Sequence, residues 1–266
     1  MRINWNIHLV VLSTLLTTAA YGQQNQPRSL AYAADKSNVP DAIAKLKSGN
    51  FLLVHIDMIA RAGAVEAVPA LKEQFTRSPD PLVKAKIASA LVRLGDRDDL
   101  YWDFLVKQAT PALESDAPDF LNRDPQAKTG AGPSPEFVAW ANAHGQDPQS
   151  AGRDAMYGMP GRLTLLASSG DQRAIPLLRR GLSSPNHQIQ IAAAMGLAEL
   201  HDKDSIPLIS DACERAPAGA ASVIAESLVY FDDPKAQNEV DKYVPIERAK
   251  ILRESRAQGK KTPLSY

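Results

Sequence analysis

Three segments of the chain share one short pattern at one register, and this self-similarity constrains the fold more than any other sequence feature. The pattern is a small residue, an aliphatic residue, proline and two more apolar or small residues. It stands at 67–71 (AVPAL), 174–178 (AIPLL) and 205–209 (SIPLI). Gly63, Gly170 and His201 each stand four positions before a copy. The spacing of 31 residues between the last two copies is typical of a two-helix repeat.

A second periodic run follows each copy, with apolar residues at intervals of four, four and three, which is one face of an α-helix. Asp80 and Asn186 precede two of the runs and are predicted N-caps. Each unit is therefore a predicted helical hairpin, in which a proline bends the first helix and the second helix is the more apolar. The apolar positions are Val83, Ile87, Leu91 and Leu94; Ile189, Ala193, Leu197 and Leu200; and Ala220, Ile224, Leu228 and Phe231.

These units resemble the HEAT-repeat family, including its bacterial branch of phycobilisome-lyase-like repeats. The resemblance rests on residues 170–200, GDQRAIPLLRRGLSSPNHQIQIAAAMGLAEL, with residues 62–96 as a second copy. It implies an all-α fold, a right-handed superhelical α-solenoid of about five to six hairpins. It also implies that the second helices line a concave binding side. It implies no shared chemistry, because members of a fold differ in function.

The spacing of the repeats predicts where the chain departs from them. Between Gly95 and Gly170 lie 75 residues, where one unit needs about 31, so the third unit carries a long insertion. The predicted divisions are a signal peptide at 1–22, a flexible lead-in at 23–37, HEAT-like repeats at 38–110, the insertion at 111–154, further repeats at 155–244, and a basic tail at 245–266.

The insertion and the tail carry opposite net charges, −4 and +4. Six prolines and four glycines favour a loop for the insertion, with one short helix at 135–144 capped by Ser134. Three interpretations of the insertion stay open: it contacts a partner, it packs as a flap onto the repeats, or it is disordered. The tail is a solubilising end cap, or a basic arm for an acidic partner or an anionic membrane surface.

The N-terminal residues are typical of an export signal. Arg2 is followed by an apolar run to Ala20, and small residues precede a cut before Gln23. The alternative, a transmembrane anchor, requires about 20 apolar residues, more than this run contains. We therefore expect an exported protein, periplasmic or extracellular, without a transmembrane segment after cleavage.

Composition and motifs indicate binding rather than catalysis. The 30 basic and 30 acidic residues argue against a general nucleic-acid binder. Cys213 and His55 fall in the apolar register and are predicted core residues, and the acidic residues around His201 are better explained as helix caps than as metal ligands. We assign no catalytic residue, cofactor or metal.

A protein or peptide partner is expected on the polar stripe of the second helices. Mixed charge with an exposed methionine and tyrosine suits such a partner better than a polyanion. The predicted function is an exported, non-enzymatic scaffold; the alternatives are a HEAT-like or lyase-related enzyme and a structural spacer in an envelope assembly. The predicted partner-binding residues are Ser89, Met195 and Glu226 in one row, Arg93, Glu199 and Tyr230 in a second, and Phe137 and Trp140 in the insertion.

Overall fold

A computed structural model describes residues 36–120, 133–258 and 263–264 of the chain. Within these ranges the regular structure is helical, apart from a single bridge residue at Pro133. The predicted all-α fold class is therefore confirmed for the described part. The predicted signal peptide, residues 23–35 of the lead-in, residues 121–132 of the insertion, and residues 259–262 and 265–266 of the tail lie outside it.

The described helices are short, and most are joined by tight turns. They are α1 (Val39–Ser48), α2 (Leu53–Ala62), α3 (Val68–Arg77), α4 (Pro81–Arg93), α5 (Asp99–Glu114), α6 (Pro135–Ala143), α7 (Pro148–Arg153), α8 (Met159–Ser168), α9 (Ala174–Gly181), α10 (His187–Glu199), α11 (Ile206–Arg215), α12 (Ala218–Glu226), α13 (Pro234–Tyr243) and α14 (Ile246–Ala257). A π-helical turn spans Asp154–Gly158, and 3₁₀ turns span Lys36–Asn38, Val65–Ala67, Lys203–Ser205 and Ser227–Tyr230.

The helices pack in pairs, and the pairs pack on one another. The pairs are α1 with α2, α3 with α4, α5 with α8, α9 with α10, α11 with α12, and α13 with α14. We call the earlier member of each pair a first helix and the later one a second helix. The second helices α2, α4, α8, α10 and α12 contact one another in that order, and α14 packs against the 3₁₀ turn that follows α12. Each inner second helix therefore has neighbours on both sides.

The same turn geometry closes four of the second helices. Gly63, Gly95, Gly170 and His201 all have positive φ, between 54° and 90°. This left-handed conformation ends a helix at little cost for glycine but is strained for histidine. The equivalence of Gly63, Gly170 and His201, inferred from sequence, is thus matched in the backbone.

An ion pair recurs beside these turns. Lys72 of α3 binds Asp96 at 2.7 Å, and Arg179 of α9 binds Asp202 at 2.8 Å. Each joins a first helix to the turn after its own second helix. Burial of Asp96 opposes its charge, but hydrogen bonds from Lys72 and from the Asp98 N–H hold the pKa of Asp96 below its ordinary value.

The prediction of a bent first helix is wrong. Pro69 and Pro207 are the second residues of α3 and α11, and Pro176 is the third residue of α9. The N–H groups of a first helical turn have no partner within the helix, so proline removes nothing there and its fixed φ suits the start. The repeated proline marks where each of these helices begins.

A continuous main core runs through the paired helices from Val39 to Leu264. Of the predicted apolar positions, all but Ala220 belong to this core or pack against it, including fully buried Ile87, Leu197 and Ile224; Ala220 is buried outside the cluster. Asp80 caps α4 by accepting from the N–H groups of Leu82 and Val83, and Asn186 caps α10, as predicted.

The insertion contains more helix than its prolines and glycines indicate. Helix α5 continues through Pro111 to Glu114, and α6 and α7 pack on each other before the π-helical turn. Ser134 caps α6 by accepting from the Phe137 N–H, as predicted.

Arginines of the tail bind the end of the paired helices. Helix α14 forms most of the described part of the tail. Arg256 donates to the carbonyl oxygen of Val229 (2.6 Å), and Arg253 donates to Asp241 (2.8 Å). These contacts favour the end-cap alternative for the described part of the tail.

Candidate functional site

Five of the six residues predicted to form two exposed rows lie on the second helices, and Tyr230 lies in the 3₁₀ turn after α12; three of the six are buried. Ser89 is buried and donates its hydroxyl to the carbonyl oxygen of Leu165 (2.8 Å). Met195 is only 8% exposed and Tyr230 only 9%. Burial, followed by the charge of Glu226, raises the pKa of Tyr230. The prediction of an exposed methionine and tyrosine is therefore wrong, because the second helices on either side cover these positions.

The charged members of the rows bind other parts of the chain. Arg93 donates to the carbonyl oxygen of Ser168 (2.9 Å) and to Oε1 of Glu199 (3.3 Å). These contacts connect α4 with α8 and α10. Arg93 is about one third exposed, so its guanidinium still lines the surface, whereas Glu199 is nearly covered.

Glu226 forms a similar contact at the other end of the stack. It accepts two hydrogen bonds from Arg248 of α14, at 2.7 and 2.8 Å. Because the carboxylate of Glu226 is largely covered by this contact, it holds α14 against α12 rather than facing a partner. Of the six row residues, Arg93 remains the best placed to contact another molecule.

A small polar depression marks the accessible part of the second-helix surface. Its free volume is about 20 Å³, and Lys86 binds Asp57 across it at 2.7 Å. Three cationic side chains and one anionic side chain line it, which gives a local net charge of +2. We call it the basic groove; it is lined by Asp57, Ala60, Arg61, Lys86, Ser89, Ala90, Arg93 and Ser168.

Exposed apolar side chains stand beside the basic groove, at the start of three neighbouring second helices. Leu53 is 37% exposed, Leu82 is 53% exposed and Tyr157, just before α8, is 54% exposed. We call these three residues the apolar row. Sequence analysis missed them because each lies at or just before the start of a helix, outside the apolar period that marks the core.

Contacts between neighbouring second helices place the three residues of the apolar row at similar heights along the helix axes. Lys86 of α4 contacts Asp57 of α2, which is 29 positions earlier in the chain, and Leu82 and Leu53 are also 29 positions apart. Ser89 of α4 contacts Leu165 of α8, which is 76 positions later, so Tyr157 lies beside Pro81, the residue before Leu82. Neighbouring packed helices lie about 8–10 Å apart, so the row forms a stepped apolar edge.

Phe137 and Trp140 lie in a separate insertion core. Phe137 is fully buried and meets the ring of Phe120 edge-on, with centroids 5.2 Å apart. Trp140 is half-buried and donates its indole N–H to Asp116 (2.7 Å). Phe137 therefore cannot contact a partner, and its predicted role in binding is wrong. The insertion core consists of Ala117, Phe120, Phe137, Trp140, Ala141, Ala151 and Ala155.

The insertion is held to α10 by polar contacts at the start of that helix. Asp119 accepts from the backbone N–H of His187 (2.8 Å) and also binds its imidazole Nδ1. Asn186 donates to the carbonyl oxygen of Ala155 (3.3 Å). A carboxylate at a helix N-terminus is favourable because the unpaired N–H groups carry partial positive charge.

A larger open depression of about 290 Å³ lies where the insertion leaves α5. One side is the end of α5 and the other is the turn between α9 and α10. Its polar side chains include Glu114 and Arg180, of opposite charge, so it has no dominant charge to select a ligand. The remaining lining residues are Leu113, Ser115, Ser183, Ser184 and Pro185.

The reactive side chains singled out by sequence are explained by packing. Cys213 is buried, and burial, with the nearby charge of Glu239, raises the pKa of its thiol to about 12. His55 is buried, as predicted, and its Nδ1 accepts from the Leu52 N–H (2.9 Å). Burial and then the charge of Lys45 lower the pKa of His55.

Two features are absent from the described residues, a metal cluster and a membrane-spanning helix. Within residues 36–120, 133–258 and 263–264, no group of three or more His, Cys, Asp or Glu side chains is placed to hold a metal ion. Over the same ranges, every helix is too short or too polar to cross a bilayer. Asp202, next to His201, is bound by Arg179 and Ser205.

Comparison with known proteins adds no relative. The chain matches no protein-family model, no curated protein and no solved structure. We therefore infer the function from the residues of this chain alone.

Proposed function

We propose that the chain is an exported, non-enzymatic HEAT-like repeat protein that binds a protein or peptide across its second helices. The recurring helix pairs, the repeated left-handed turn and the repeated Lys/Arg–Asp ion pair support a solenoid of six two-helix units. In such an array each unit buries its apolar face against the next, and the helices of one layer present an extended surface.

The observation that carries the binding function is the apolar row beside the basic groove. Leu53, Leu82 and Tyr157 are large apolar side chains that remain exposed, whereas the other large apolar side chains of these helices are buried or partly buried. Exposed apolar residues that are grouped and bordered by charge are typical of interaction surfaces. Scattered exposed residues need no explanation, but these three stand level on adjacent helices.

The proposal revises the surface expected from the helical period. Arg93 remains one of the proposed binding residues. The buried residues Ser89, Met195 and Tyr230 are no longer among them, and the apolar row, Arg61 and Lys86 take their place. The insertion borders this layer without supplying Phe137 to it, because that ring is occupied in the insertion core.

Export is the second part of the proposal, and residues 1–22 support it. These residues lie outside the described ranges, and their pattern of one basic residue, an apolar run and small residues before Gln23 is that of a cleaved leader. Mass spectrometry of the N-terminus of the protein from its native cell tests this part. A mature chain that begins at Gln23 supports export, and an intact Met1 contradicts it.

Site-specific photocrosslinking in the native cell tests the binding function. A photoreactive amino acid replaces Leu82 in the apolar row, and a matched variant carries it at Thr76, an exposed position on the first helix α3. We expect a discrete crosslinked product from position 82 and none from position 76. Equal products from both positions, or none from position 82 and from a further probe at Tyr157, would contradict the proposal.

A further inference from the structure

The two features of the candidate surface together define the chemistry of its partner. The apolar row favours contact with apolar side chains, because burying them removes apolar area from water. The basic groove favours negative charge next to them. Arg61, Lys86 and Arg93 are all at least partly exposed, although each of them also takes part in a contact within the chain.

We infer that the occupant of this surface is an extended acidic peptide segment of a partner protein, an inference that rests on the proposed function. Its apolar side chains pack on Leu53, Leu82 and Tyr157. Its carboxylates meet Arg61, Lys86 and Arg93, of which the two arginines can bind a carboxylate through paired N–H groups.

The charges near the groove favour a peptide carboxylate over a phosphate polymer. Asp57 lines the groove and Glu199 lies behind Arg93, so the local positive charge is modest. A polyanion requires a run of cations along its backbone, whereas one or two carboxylates need only the three cations present. The apolar row beside the groove would also make no favourable contact with a phosphate backbone.

The helix spacing sets the spacing of residues in the peptide. Second helices about 8–10 Å apart correspond to about three residues of extended chain at ~3.3 Å each. Leu82 and Lys86 are one helical turn apart on α4, about 6 Å along its axis. The expected recognition pattern therefore has apolar residues about three positions apart, with Asp or Glu between or beside them.

Selection from a phage-displayed library of random peptides on the purified protein tests this inference. We expect enrichment of peptides with Asp or Glu next to Leu, Ile, Phe or Tyr at the stated spacing. One enriched peptide, labelled with fluorescein, is then titrated by fluorescence anisotropy. Its affinity should fall when NaCl is raised from about 0.05 to 0.5 M, because the groove contacts are between exposed charges.

Matched variants show whether binding depends on the cations of the basic groove or on positive charge anywhere on the surface. Lys86→Gln and Arg61→Gln should each weaken the acidic peptide about tenfold, as expected for a lost charge-assisted contact. Arg77→Gln, which removes an exposed arginine of the first helix α3, should leave the affinity unchanged. Circular dichroism melting of each variant verifies the fold. Equal weakening by all three substitutions would overturn the inference.

The remaining outcomes show whether only the acidic peptide is wrong or whether the proposed binding function is wrong as well. Enriched peptides that are basic or neutral, and that lose binding in Leu82→Ser, would overturn the acidic occupant while leaving peptide binding intact. No enrichment over the library background would overturn both. Binding of a single-stranded oligonucleotide that is weakened by Lys86→Gln as strongly as that of the acidic peptide would replace the peptide with a polyanion.

Discussion

The main core and the insertion core are built in different ways. The main core is continuous from Val39 to Leu264, and each inner helix shares it with helices of the neighbouring pairs. Among the described residues, the insertion core consists of seven side chains including Phe137, and contacts of Asp119 and Asn186 attach it to α10. A region with fewer buried apolar contacts unfolds locally at a lower cost in free energy. We therefore expect the free energy of local unfolding to differ between the main core and the insertion core.

The difference also shows which positions are free to carry a function. In the stacked pairs nearly every apolar position that follows the helical period is used for packing, and even polar positions such as Ser89 bind a neighbouring helix. The exposed apolar side chains that remain include Leu82 and Tyr157 at helix starts. The proposed binding residues therefore lie at the ends of helices as well as along their faces.

The largest expected effect on the stability of the whole described fold is in the main core. Leu197 is fully buried in α10, so Leu197→Ala leaves a cavity and should lower the free energy of unfolding by about 2–5 kcal/mol. Urea unfolding followed by circular dichroism measures this loss. The control is Leu208→Ala on α11, where an exposed leucine should change stability by less than about 0.5 kcal/mol. Similar losses for both variants would contradict the described core.

A comparable substitution in the insertion should have a local result. Phe137→Ala removes the ring between Phe120 and Trp140 and should cost the insertion core about 3–5 kcal/mol. Hydrogen exchange followed by mass spectrometry should show lost protection in α6, with little change in α4 or α12, because the two cores are separate. A uniform loss over the whole chain would show that they unfold as one.

Much of the fold could be predicted because it repeats. The intervals in α4, α10 and α12 identified the buried faces, and Asp80, Asn186 and Ser134 identified three helix starts. The proline was misread because sequence does not show which residue is the first of a helix, and proline is tolerated in the first turn and disruptive later. The unit count and the solenoid remain proposals.

The surface was harder to predict than the core. A helical period assigns Met195 and Tyr230 to the polar side, but it contains no information on how closely neighbouring helices approach. Glu226 was assigned to a partner, while its actual partner is Arg248 of the tail. The signal that was available is Leu82, an exposed leucine directly after the Asp80–Pro81 turn that opens α4.

The attachment of the insertion gives a smaller expected effect. Asp119→Asn replaces a charged acceptor at the N-terminus of α10 and should cost about 1–2 kcal/mol, local to that contact. Amide exchange should rise at residues 115–120 and at the first turn of α10. The matched control is Glu136→Gln, which removes one negative charge from an exposed position in the first turn of α6. Faster exchange in both variants would attribute the effect to charge rather than to the contact.

The smallest expected effect is at the opposite end of α10 and should be stabilising. His201 occupies the left-handed conformation that glycine occupies at the three equivalent turns, and this conformation costs a non-glycine residue about 1–2 kcal/mol. His201→Gly should therefore raise the free energy of unfolding by about 1 kcal/mol, less the added entropy of a glycine in the unfolded chain. Gly170→Ala should lower it by a similar amount, and urea unfolding measures both.

If His201→Gly is destabilising, the imidazole itself stabilises the end of α10. Since His201 is remote from Asp119 along α10, exchange in the insertion should be unchanged in either variant, whereas a change there would show that α10 couples the two cores.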